Sequence, residues 1–160
     1  MILEKINKPE DLRKLNREEL ENLAEEVRKA LLNRLTKYPK GGHVGPNFGV
    51  VELTIALHYV FNSPVDKMIF DVSHQAYPHK ILTGRKDGFI YDEKFGTVNG
   101  YTDQDESEHD FFRVGHTSTS ISVAAGLAKA RDLKGTKENI IALIGDGSLS
   151  GGLAFEGLNS

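Results

Sequence analysis

The chain has 160 residues, long enough for one domain with a real core and too short for two ordinary ones. Its 20 basic and 23 acidic residues leave a net charge of −3, which gives no electrostatic grip on nucleic acid. The absence of cysteine excludes disulfides, thiolate metal sites and a cysteine nucleophile, and fits a cytosolic setting.

The apolar runs fall well short of the roughly 20 residues that a membrane span needs. The first residues, MILEKINKPEDLRKL, are too acidic and polar for a signal peptide. No internal repeat or low-complexity segment is visible.

Residues 9–37 read as one helix. Asn16 and Glu19 have capping-box spacing, and Leu20, Leu23, Val27, Leu31 and Leu35 form one apolar stripe. Arg17, Glu18, Glu21, Glu25, Arg28 and Lys29 read as a solvated face. Residues 38–49 break the pattern with four glycines and two prolines, and such a loop can bring backbone and the His43 imidazole against a ligand. Residues 50–61 are apolar enough for a buried helix, with His58 expected at the edge of the core.

Residues 67–72 read as a strand, which places His74 near its carboxyl end, where doubly wound sheets put functional residues. Residues 83–108 are polar and rich in turn formers, and the acidic run at 103–106 is expected to face solvent. Gly115 and His116 precede a helix expected to run to about Leu133 and to end at Gly135. Its opening hydroxyl residues can cap the free N–H groups, and the same helix start offers donors to an anion.

Residues 140–144 have the length and β-branched content of a strand buried on both faces. They end in Gly145-Asp146-Gly147, a tight turn with one outward carboxylate at the ligand-binding end of a parallel strand. An acid beside a phosphate repels it unless a divalent cation stands between, and Mg²⁺ suits that place. A plain strand-to-helix turn is the other reading. The order of elements points to α/β architecture, a parallel sheet flanked by helices. His74 and His79 lack a partner at zinc-site spacing, and Ser148 lacks the nucleophile-elbow pattern.

Taken together, several stretches resemble the thiamine-diphosphate-dependent 1-deoxy-D-xylulose-5-phosphate synthases, which are transketolase-like enzymes. They are GGH at 41–43, VELTIALHYVFNSP at 51–64, DVSHQAYPHKILTGR at 71–85, ESEHD at 106–110, GHTSTSIS at 115–122 and GDGSLSGGLAFEGLN at 145–159. The resemblance implies an incomplete thiamine-diphosphate-binding fold, with residues 1–160 as the first part of the diphosphate-binding domain of a larger enzyme. It implies that Asp146 ligates Mg²⁺, and that His74, Gly115, His116, Thr117, Gly147 and Ser148 line the cofactor. His43 and His74 would be catalytic, moving protons as pyruvate loses CO₂ and a carbon–carbon bond forms with glyceraldehyde 3-phosphate. A homodimer or other self-association is implied, with no nucleic-acid or membrane partner.

The chain departs from the family pattern at Ser73, where Gly is usual, and at Thr117, where the family reads GHSS. It departs again at residues 44–47 and 97–106. A further metal-ligating Asn and an activating Glu of the family have no counterpart in these 160 residues. The chain alone is therefore expected to bind the cofactor weakly and to lack turnover. The alternatives are a paralogue acting on another ketose phosphate or 2-oxo acid, a non-catalytic phosphate-binding module, and a split enzyme completed by a second polypeptide.

Overall fold

The computed structural model describes residues 1–160, which divide into two compact units. The first comprises Met1–Asn62 and Gln75–Gly100, the second Ser63–His74 and Tyr101–Ser160. No helix is long and apolar enough to cross a membrane.

In the first unit, α1 (Ile2–Lys5) precedes a 3-10 turn at Pro9–Lys14, and α2 spans Arg17–Lys37. The single helix expected from residue 9 is thus interrupted. Leu15 is extended, and Asn16 opens a new helix by accepting the Glu19 N–H at 3.0 Å while Glu19 accepts the Asn16 N–H at 2.9 Å. This reciprocal cap is the box that the spacing predicts. Leu23, Val27 and Leu31 are fully buried, and Leu20 and Leu35 pack partly against them. On the outer face Arg28 is only half-buried, since it bridges Glu25 at 3.0 Å and Glu52 at 2.6 Å.

Two short helices follow, α3 (Val44–Gly49) within the expected loop and α4 (Val51–Val60) where a helix is expected. His58 is not at the core edge but fully buried, because His79 supplies a buried hydrogen-bond partner. α5 (Tyr77–Lys80) and α6 (Asp87–Ile90) flank a distorted turn, and a 3-10 turn covers Asp92–Thr97. Much of the segment expected as loop is therefore built from helical turns too short to leave a periodic pattern. Leu12, Leu31, Ile55, Ile81, Leu82 and Phe89 close one continuous core. Each such side chain contributes about 1.5–3 kcal/mol by leaving water.

The second unit carries β1 (Lys67–Phe70), α7 (Ser120–Lys134), β2 (Ile140–Leu143), α8 (Asp146–Leu149) and α9 (Gly152–Leu158). The two strands pair in parallel, as expected, Lys67 opposite Ile140 and Phe70 opposite Leu143, with α7 between them in the chain. Asp66 sets the start of that ladder, its Oδ1 accepting the Asn139 backbone N–H at 2.6 Å and side-chain N–H at 3.0 Å.

Gly135 ends α7 in the left-handed region, at φ 71°, which glycine adopts without strain. β2 is half-buried along its length rather than enclosed on both faces. Met68, Ile69 and Phe70 of β1 are buried.

Candidate functional site

Both strands of the second unit end at the candidate site. Past β1, Asp71 is 1% exposed, and its two carboxylate oxygens accept backbone N–H groups of Ser118 at 2.9 Å and Ser120 at 3.0 Å. Ser120 is the first residue of α7, so a carboxylate from a strand end satisfies the helix start. The expected hydroxyl cap is absent: Thr119 makes no side-chain cap bond and instead donates to the His116 carbonyl at 3.1 Å. Burial pushes the Asp71 carboxyl up. The N–H bonds from Ser120 and Ser118 outweigh that and hold it below the usual carboxylate value.

Past β2, Asp146 opens α8 and is exposed, with Oδ1 accepting the Gly147 N–H at 2.8 Å. Ser148 is half-buried. The Ser118 hydroxyl donates to its carbonyl at 2.6 Å, which ties the end of the 115–118 segment to the 146–149 turn. A Cβ on Gly151 would collide with the Ser118 Oγ, so this glycine keeps the approach open.

Three non-glycine residues here have positive φ: Val72 at 59°, Ser73 at 69° and Ser118 at 67°. For a β-branched valine that is a costly conformation. Ser73 is fully buried, and its hydroxyl donates to the Val114 carbonyl at 2.9 Å while accepting the Thr102 N–H at 3.0 Å. The hydroxyl thus links the residue before His74 to the residue before Gly115. His74 itself is half-buried, whereas Gly115, His116 and Thr117 are exposed. In the acidic run, Asp103 and Asp105 both pair with Arg113, so the expectation of plain solvation is only partly met.

The residues predicted for the site thus fall unevenly. His74, Gly115, His116, Thr117, Asp146, Gly147 and Ser148 all belong to the second unit, and the Ser118 hydroxyl joins two of their segments. His43 belongs to the first unit, where it is exposed and precedes α3. Two residues that organise these segments, Asp71 and Ser118, are not among the candidates that the sequence offers. The single hint lies in their motifs, since an acid ends one and a hydroxyl residue sits in the other.

The sequence profile described as 1-deoxy-D-xylulose-5-phosphate synthase matches residues 3–160. The chain belongs to this family. A 1-deoxy-D-xylulose-5-phosphate synthase of Caldanaerobacter subterraneus is 55% identical over 159 residues, 99% of this chain and 25% of the relative. Synthases of Carboxydothermus hydrogenoformans (56% over 158 residues) and Halalkalibacterium halodurans (55% over 159) cover the same shares. The chain therefore spans about a quarter of the length of the curated relatives it matches. As a member of the 1-deoxy-D-xylulose-5-phosphate synthase family, it carries helices and a parallel two-stranded sheet, the α/β architecture expected from its pattern.

Proposed function

We propose that this chain is the first, thiamine-diphosphate- and Mg²⁺-binding portion of a 1-deoxy-D-xylulose-5-phosphate synthase. That enzyme joins pyruvate and glyceraldehyde 3-phosphate into 1-deoxy-D-xylulose 5-phosphate with release of CO₂. The observation that carries the reading is the clasp between Ser118 and Ser148, which gathers two glycine-containing segments beside the exposed Asp146 carboxylate.

The donors fit the groups proposed. Gly115 and Gly147 have open space where a Cβ would stand, so a phosphate can come close to the backbone there, with the Gly147 N–H itself held by Asp146 Oδ1. No group of three or more His, Cys, Asp or Glu side chains converges as a protein-only metal cage. A lone carboxylate completed by diphosphate oxygens and water is the manner in which Mg²⁺ is commonly held. Asp146 would hold the metal, and Gly115, His116, Thr117, Gly147, Ser148 and His74 would line the cofactor.

Bound thiamine diphosphate supplies the carbon nucleophile and the sink for the electron pair left as CO₂ departs. The chain's own part is to orient and to move protons. The ring nitrogens of His43 and His74 are the groups proposed to hold and pass protons during the reaction. Self-association, with a homodimer as the simplest form, and a cytosolic setting belong to the same reading.

Calorimetric titration of the chain with thiamine diphosphate plus Mg²⁺, against ATP and NAD under the same conditions, tests the proposal. Saturable binding of thiamine diphosphate alone is expected. Binding of ATP or NAD in preference would replace the proposal with a general nucleotide-binding module.

A further inference from the structure

We propose that Asp71 and Ser118 are positioning residues for the diphosphate pocket: the Asp71 carboxylate fixes the Ser118–Ser120 backbone, and the Ser118 hydroxyl fixes the Ser148 carbonyl. The inference rests on the functional reading above and assigns neither residue a contact with the cofactor.

Asp71 lies just past β1 yet holds the N–H groups of Ser118 and Ser120, 47 and 49 residues later, with one oxygen on each. Its charge meets the positive end of a 15-residue helix, the place where a carboxylate is most favourable. This occupancy has a chemical consequence. The Ser118 and Ser120 N–H groups are consumed inside the protein, so they are not available to a ligand phosphate. On the functional reading above, the anion is held from residues 115–117 and from the 146–148 turn, and the relation between those two segments decides whether it fits.

Ser118 sets that relation. Its backbone is bent to φ 67°, a conformation serine does not favour, and the bend is maintained by the Asp71 oxygen on its own N–H. In that pose its hydroxyl reaches the Ser148 carbonyl at 2.6 Å, and Gly151 leaves the space it needs. Removing the Asp71 charge releases the bend, and removing the Ser118 hydroxyl releases the turn. The two acts belong to one linkage, so their effects on binding cannot simply add.

The test uses the 160-residue chain, Asp71→Asn, Ser118→Ala and the double variant, read by amide NMR and by calorimetry with thiamine diphosphate plus Mg²⁺. In the parent chain the Ser118 and Ser120 amide protons should resonate at low field and titrate together in acid, following one carboxyl. Asp71→Asn should abolish that shared titration while the Leu31 amide in α2 keeps its position. Each single variant should weaken the cofactor at least tenfold, and the double variant no more than the weaker single. Ser118→Ala keeps the carboxylate cap, so it reports on the linkage even where Asp71→Asn fails to fold. Amides that ignore the Asp71 carboxyl, or single variants that bind as tightly as the parent, would overturn the assignment. A parent chain with the amide signature but no affinity for thiamine diphosphate would overturn the functional reading and, with it, the positioning role.

Discussion

His58 Nε2 and His79 Nδ1 lie 2.9 Å apart with both residues fully buried, their rings stacked at 5.1 Å between centroids. One proton must sit between those nitrogens, so each ring sets the tautomer of the other. Replacing either by a similarly sized apolar residue leaves a buried nitrogen without its bond, at about 1–3 kcal/mol. The double variant His58→Leu/His79→Leu should cost less than the two single changes summed, by at least about 0.5 kcal/mol. Urea unfolding of the four proteins measures this, and strict additivity would mean that the bond contributes nothing.

Arg34 presents a second buried arrangement in the first unit. Its Nη2 donates to the Phe95 carbonyl at 3.1 Å and the Val98 carbonyl at 2.6 Å, and the guanidinium lies 4.6 Å from the Phe89 ring centroid. Only a planar cation serves both carbonyls and the ring face. Arg34→Met should destabilise by about 3 kcal/mol and Arg34→Lys by about 2, since buried charged hydrogen bonds are worth about 1.5–3 kcal/mol each. A shift of the urea midpoint within error for Arg34→Lys would contradict this.

Ser73 stands in the left-handed region, where glycine carries no penalty, but its hydroxyl makes two hydrogen bonds. Ser73→Ala loses the bonds and keeps the strain, whereas Ser73→Gly loses the bonds and relieves a strain of about 1–2 kcal/mol. Alanine should therefore be the worse substitution by about 1 kcal/mol. Thermal denaturation of the two variants decides it, and equal stability would remove the strain from consideration.

The Asp71 carboxyl is held below its ordinary value in the folded chain, so the folded state gains from its ionised form. The sign follows: this stability is fully present above the unfolded value of about 4 and is lost as pH falls through the lower folded value. The gap in unfolding free energy between the parent and Asp71→Asn should be level from about pH 5 to 7 and shrink in more acid solution. A gap that grew on acidification would reverse the assignment.

What could be read in the sequence was what local chemistry decides. The Asn16–Glu19 cap spans three residues, and the stripe of Leu23, Val27 and Leu31 repeats at helical spacing, so both follow from adjacency alone. Gly135 announced the end of α7 because few other residues accept its φ. Asp71 could not be read as the cap of α7, since its partners lie 47 and 49 residues away. The same holds for His58, whose burial depends on a histidine 21 residues further on, and for Arg34, whose carbonyl partners are more than 60 residues distant. The motifs of the site were legible as a family resemblance. The hydroxyl linkage that joins them was not, because Ser118 reads as an ordinary helix-start residue until the Ser148 carbonyl is found beside it.

Whether Asp146 anchors the diphosphate through Mg²⁺ is tested most directly by calorimetry of thiamine diphosphate into the chain and into Asp146→Ala, each with Mg²⁺ and with EDTA. Binding should require the metal in the parent and fall at least tenfold, about 1.4 kcal/mol, in the variant. Equal affinity and an unchanged metal requirement in Asp146→Ala would contradict it.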